Sequence, residues 1–151
     1  MTDPIRLLLA DDQQMVRAGF RLVLDAQPDM SVVGEANDGA EALQLVDELA
    51  PDVVLMDIRM PVLDGLGATE KIMTSHPEAK ILVLTTFDLD EYVHSALRAG
   101  ASGFMLKDAG PTELLAAIRA VRDGDSVVAP SATRRLIERF IPRQGEGAAT
   151  I

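Results

Sequence analysis

Val53-Val54-Leu55-Met56-Asp57-Ile58-Arg59-Met60-Pro61 is an apolar run of strand length that empties onto one carboxylate and is then stopped by proline. Without polar alternation it reads as a strand buried on both faces, the habit of parallel sheets covered by helices. The end of such a strand opens onto the crevice where α/β sheets bind ligands, which makes Asp57 the candidate reaction centre. Taken alone, a turn or helix-cap role explains an aspartate there equally well. The neighbouring strands have to decide.

Outward from this stretch, strands and helices alternate strictly. Ile5 to Ala10 is a buried strand ending in Asp11-Asp12, and a helix from about Gln13 to Ala26 follows, with Met15, Val16, Phe20, Val23 and Leu24 at helical spacing. Ser31 to Glu35 is a short strand. Asp38-Gly39 marks a turn, and Ala40, Leu43, Leu45, Val46 and Leu49 form a helix stopped by Pro51. After the opening strand, Pro61 and Asp64-Gly65 make a loop before a helix from about Leu66 to Ser75. Ile81 to Leu84 leads into Thr85-Thr86, and Asp88 or Asp90 can cap a helix running to Arg98, with Gly100 beyond its end. Gly103 to Leu106 delivers Lys107, and Pro111 opens a last helix, Thr112 to Arg122, whose Leu114, Leu115, Ile118 and Val121 face inward. Five repetitions predict an α/β domain with a parallel sheet and right-handed crossovers.

At 151 residues the chain can bury roughly two-thirds of its unfolded surface without staples. It has no cysteine, which excludes a disulfide framework and a thiolate metal site. The N-terminus lacks the basic region and long apolar stretch of a signal peptide, and no apolar run reaches membrane-spanning length, so a cytoplasmic protein is expected. Residues 1 to 125 hold 10 basic and 22 acidic residues, net −12, and such a body repels phosphate backbones. It should not bind nucleic acid unaided.

In a parallel arrangement the strand ends share one edge, which collects Asp11, Asp12, Asp57, Thr85 or Thr86, and Lys107. Three carboxylates brought close together repel until protonation or a cation relieves them. Oxygen-only ligation, with neither His76 nor His94 at this edge, suits a hard ion, and Mg2+ fits best. An aspartate beside such a metal is a competent nucleophile toward phosphorus, and metal, lysine and hydroxyl can clamp the transferring oxygens. The Gly65-Leu-Gly67-Ala-Thr-Glu70 string is not a dinucleotide loop, since it follows the third strand and lacks the final small residue.

Leu9-Ala10-Asp11-Asp12, Leu55-Met56-Asp57-Ile58-Arg59-Met60-Pro61, Asp64-Gly65, Leu84-Thr85 and Gly103-Phe104-Met105-Leu106-Lys107 together resemble the receiver domain of bacterial two-component response regulators. The likeness runs from residue 1 to about 123. It implies a doubly wound, flavodoxin-like sheet of five parallel strands, order 2-1-3-4-5, with helices on both faces. It also implies that Asp57 is the phosphoacceptor, with Asp12, Asp57 and the Arg59 backbone carbonyl binding Mg2+ directly and Asp11 acting through water. Lys107 would hold the phosphoryl oxygens, Thr85 would be the switch hydroxyl, and Phe104 would be the switch aromatic, held inward by packing because it has no hydroxyl. Where many receivers have proline after the lysine, this chain has Asp108, so a cis peptide there would be costly.

The segment 124–151 reads as a linker with a short helix, Thr133 to Ile141, and an unstructured Gly145-Glu146-Gly147-Ala148-Ala149 end. With the Phe-Met-Leu-Lys-Asp-Ala run it resembles the NarL/FixJ-type subclass, whose members continue into a helix-turn-helix DNA-binding domain. The chain stops where that domain would begin and reads as a receiver with its linker. The resemblance implies a sensor histidine kinase as phosphodonor and a homodimer on phosphorylation, controlled by the face from Asp88 to Arg122. DNA would be contacted only through an output domain. An aspartyl-phosphate phosphatase is the main rival, but those enzymes carry a second aspartate two residues after the nucleophile, where this chain has Arg59. A phosphate-independent interaction module is the other. The reading is therefore not of an enzyme, beyond Mg2+-assisted self-phosphorylation and autodephosphorylation.

Overall fold

The computed structural model describes residues 3–86, 90–125 and 127–128. In chain order the elements are β1 (Ile5–Ala10), α1 (Gln14–Asp25), β2 (Met30–Ala36), α2 (Gly39–Leu49), β3 (Val53–Asp57), α3 (Gly65–Ser75), β4 (Ile81–Thr85), α4 (Asp90–Arg98), β5 (Gly103–Leu106), α5 (Pro111–Arg122) and β6 (Val127–Val128). The strands pair in parallel in the order β2-β1-β3-β4-β5-β6. The order 2-1-3-4-5 is the one the family resemblance implied. The two-residue β6, pairing Gly103 with Val127 and Phe104 with Val128, extends it. Those residues read as the start of the linker because two valines are too few to carry a strand pattern. What recruits them is the open edge of β5, whose unpaired backbone groups accept any adjacent chain.

Helix boundaries follow local chemistry. Asp38 caps α2 by accepting the Glu41 N–H at 2.8 Å, and Asp64 caps α3 by accepting the Gly67 N–H at 2.8 Å. Pro111 opens α5 at a position whose N–H would have no intrahelical acceptor anyway. α2 ends on Ala50 in the left-handed region, φ 46°, immediately before Pro51.

Alternation along the strands divides the core in two. Leu8, Ala10, Val54, Met56, Ile81, Val83 and Phe104 point to the face covered by α2, α3 and α4, where Ala42, Val46, Ala68, Ile72, Val93 and Ala96 meet them. Leu7, Leu9, Val53, Leu55, Leu82, Leu84 and Met105 point to the face covered by α1 and α5, against Leu24, Leu114, Ile118 and Val121. Each fully buried aliphatic side chain contributes about 1.5–3 kcal/mol, so neither face could be left bare.

The helical pattern misplaces two residues: in α1 Met15 is 88% exposed and Arg17 takes the buried position, and in α2 Ala40 is exposed while Ala42 is buried. Val16, Phe20 and Val23 are half-buried and Leu24 is buried. The expected linker helix over 133–141 and the Asp88 cap lie outside the described residues. Among the described residues, no helix is long and apolar enough to cross a membrane.

Candidate functional site

The pleat that builds the two cores also sorts the polar residues at the carboxyl edge. Asp11 continues β1 by donating its N–H to the Ala36 carbonyl at 3.0 Å, and Lys107 continues β5 by donating to the Thr85 carbonyl at 2.8 Å. Counting by twos, Asp11 follows Leu7 and Leu9, Asp57 follows Val53 and Leu55, and Lys107 follows Met105. All three therefore emerge on the α1/α5 side. Thr85 follows Ile81 and Val83, so with Phe104 it belongs to the opposite face.

The acidic residues meet as the strand ends predict. Asp11, Asp12 and Asp57 each offer a carboxylate oxygen within 4.8 Å of the others. Asp11 and Asp57 are buried and Asp12 is exposed. Lys107 Nζ lies 2.6 Å from Asp11 Oδ2 and 3.2 Å from Asp57 Oδ1, and Asp11 Oδ1 accepts the Gln13 N–H at 2.9 Å. Burial, and next the Asp11 charge, push the Asp57 carboxyl up to about 6; Lys107 pulls the other way, and Asp12 adds a smaller upward push. For Lys107, burial works against the ammonium, but its hydrogen bond to Asp11 and the charges of Asp57 and Asp11 prevail and raise its pKa. One ammonium against three carboxylates leaves a surplus of negative charge.

The loop between β3 and α3 forms the open wall, an open crevice of about 520 Å³ lined by Asp12, Ile58, Arg59, Met60, Pro61, Asp64 and Leu66. Gly65 sits where a Cβ would lie 1.9 Å from the Asp57 carbonyl oxygen, so only glycine lets α3 start so near the end of β3. The Gly65 N–H donates to the Ile58 carbonyl and that of Gly39 to Leu63, at 2.8 and 2.9 Å, which pins the loop at both ends. Between them Val62 is 84% exposed at φ 71°, with Leu63 N–H bonded back to the Pro61 carbonyl at 2.8 Å. This is a strained three-residue turn on a β-branched residue, which the sequence did not signal.

Thr85 is buried and Thr86 is exposed, which settles which of the two lies inside. Phe104 is wholly buried among the α2–α4 core residues. No peptide bond among the described residues is cis, so the one between Lys107 and Asp108 is trans. His76, at the opposite end of the sheet beside Asp47 and Glu78, and His94 in α4 do not join the acidic edge.

Sequence reasoning missed Arg17. Its guanidinium is buried, donates from Nη1 to the Asp11 carbonyl, and donates from Nε to Glu35 Oε1 at 3.0 Å. The available signal was its position three residues before Phe20 and seven before Leu24, on the inward stripe of α1.

This donor set fits a hard divalent cation: it is all oxygen, it carries surplus negative charge, and one of its carboxyls is held well above its ordinary range until that charge is relieved. A carboxylate with a metal on one side and an ammonium on the other is equipped to accept an electrophilic phosphorus.

A family model described as the response regulator receiver domain matches residues 7–119. The chain is 48% identical over 143 residues to the uncharacterized transcriptional regulatory protein YxjL of Bacillus subtilis (strain 168), covering 94% of this chain and 66% of that protein. It is 46% identical over 146 residues to the oxygen regulatory protein NreC of Staphylococcus aureus (strain JH9), covering 96% and 67%. It thus spans about two thirds of the length of the curated relatives it matches. Among solved structures, a LuxR-family two-component response regulator from Aurantimonas sp. SI85-9A1 superposes with a TM-score of 0.87 at 34% identity, covering 92% of this chain and 99% of that one. The signal receiver domain of the putative response regulator NarL from Mycobacterium tuberculosis superposes with a TM-score of 0.79 at 35% identity, covering 82% and 99%.

Proposed function

The chain belongs to the response regulator receiver family, and from that premise we propose that Asp57 accepts a phosphoryl group from the phosphohistidine of a sensor kinase, in a Mg2+-dependent reaction. Residues 1–123, with the short strand β6 added to their sheet, are the phosphoacceptor domain, and the rest of 124–151 is a linker toward a DNA-binding output domain of a transcriptional regulator. The protein works in the cytoplasm, has no membrane partner, and reaches DNA only through that output domain. The observation that carries this reading is the meeting of Lys107 with Asp11 and Asp57, from strands far apart in sequence.

Asp12, Asp57 and the Arg59 backbone carbonyl would hold Mg2+ directly and Asp11 would act through water, as the family resemblance implies; the three carboxylates that meet here supply the oxygen donors. When bound, the ion offsets charge on the phosphoryl oxygens. An Asp57 oxygen attacks phosphorus as the phosphorus–nitrogen bond of the donor breaks, and the imidazole nitrogen leaves with the electron pair. The Lys107 ammonium follows the new charge from Asp57 onto a phosphoryl oxygen. Arg59 stands where a general acid would serve an outside leaving group, so the reaction stays on the chain and ends in slow self-hydrolysis. The exposed apolar side chains of Met15, in the first turn of α1, and Val62, in the loop between β3 and α3, offer contact area for the kinase.

The added charge of about −1.5 to −2 draws the Thr85 hydroxyl toward the phosphoryl group. Phe104 fills the space vacated on that face, and the face from α4 to α5 then pairs two copies. The test is to incubate the protein with Mg2+ and a small phosphodonor and to measure intact mass with and without Asp57→Asn. A single phosphoryl adduct that vanishes in the variant supports the reading. An adduct that persists in the variant refutes Asp57, and turnover of unrelated phosphoesters would favour a phosphatase.

A further inference from the structure

Arg17 is the one arginine that is buried among the described residues, and no step above uses it. We propose that Arg17 is a positioning residue for the cation: its guanidinium fixes the Asp11–Asp12 peptide so that both carboxylates face the metal. The inference rests on the Mg2+ reading above.

The side chain is 9% exposed and spans two strands' worth of structure. Nη1 donates to the backbone carbonyl of Asp11, and Nε donates to Glu35 Oε1 at the end of β2. The next residue of β2, Ala36, accepts the Asp11 N–H at 3.0 Å. Both backbone polar groups of Asp11 are thereby tied to β2, one directly and one through Arg17. The following peptide carries Asp12, whose carboxylate is exposed. Beside Asp57 lies a void of about 10 Å³, lined by Arg17 with Asp11, Phe20, Leu55 and Leu84, so the guanidinium is packed closely under the acidic edge with room for about one water beside it. Arg21 supplies a control in the same network. It bonds Glu35 Oε2 at 2.6 Å and Asp25 at 3.2 Å from the exposed side of α1, and these contacts do not include Asp11.

Groups that orient metal ligands from behind typically change metal affinity 10–100-fold when removed. The experiment is calorimetric titration of the whole chain with Mg2+, beside amide hydrogen exchange at Gln13 in metal-free buffer, since the Gln13 N–H is held by Asp11 Oδ1. Arg17→Met, which keeps the apolar stem and leaves Glu35 paired with Arg21, is expected to bind Mg2+ about tenfold more weakly and to lose Gln13 protection while unfolding cooperatively. Arg17→Lys, which keeps a cation against the carbonyl, should recover most of the affinity and carries the comparison if the Met variant does not fold. Arg21→Ala should stay within about twofold of wild type. Wild-type affinity in folded Arg17→Met, or an equal loss in Arg21→Ala, overturns the assignment. A wild-type chain that binds no Mg2+ sinks the functional reading instead, and the metal-free exchange at Gln13 still judges Arg17.

Discussion

Replacing the proposed phosphoacceptor should make the metal-free protein more stable, and the size of the gain follows from the site. The Asp57 carboxyl is raised from 3.8 to about 6, first by burial and then by the Asp11 charge. In the unfolded chain it ionises near its ordinary value, so between about pH 4 and 6 the folded state holds a proton that the unfolded state has released. Over that window stability falls as pH rises. A carboxyl held at about 6 instead of 3.8 corresponds to about 3 kcal/mol at pH 8, an upper bound because the site relaxes. Asp57→Asn removes the charge while its Oδ1 can still accept from Lys107. It should therefore stabilise the domain by up to about 3 kcal/mol at pH 8, or about 10 °C in Tm for a domain of this size, and by nearly nothing at pH 4. Thermal unfolding in chelator across that pH range, wild type against variant, cancels the carboxylates common to both, including Glu35 and Asp29, whose pKa values are lowered. A variant no more stable at pH 8, or equally stabilised at pH 4 and pH 8, would refute the account of the cluster as an under-neutralised charge trap.

Mg2+ affinity should fall about tenfold per pH unit below about 6, as the cation competes with the Asp57 proton; titration calorimetry in buffers of different ionisation heat would detect the released proton. Lys107→Ala leaves two buried carboxylates without their cation and should cost about 2–4 kcal/mol at pH 8, with Mg2+ restoring part of it in urea unfolding curves. Gly65→Ala forces a Cβ onto the Asp57 carbonyl and should cost more than about 2 kcal/mol and weaken Mg2+ binding, readable in the same two assays. Val62→Gly, at an exposed position with φ 71°, should be neutral or gain about 1 kcal/mol by relieving the turn.

Much of this protein is written locally. Uninterrupted apolar runs such as Val53 to Met56 and Ile81 to Leu84, short and bounded by turn residues, read as buried strands, and their strict alternation with helical spacing points to an α/β sheet. The residue ending each run then lies at one edge whatever the strand order, which is why Asp11, Asp12, Asp57, one of Thr85 and Thr86, and Lys107 are legible as a set before any contact is known. Other features depend on groups distant in sequence. Met15 and Arg17 exchange their expected places because the depth of a helical residue depends on what the sheet presents to it, and Asp11 and Glu35 offer a guanidinium two acceptors. Val127 and Val128 become a strand only because β5 leaves an edge beside them. The choice of Thr85 over Thr86 depends on the pleat, and the raised Asp57 pKa on water excluded by neighbouring elements and on charge carried in by Asp11. Periodicity reports which residues must leave water; it holds no record of which charges meet once they have.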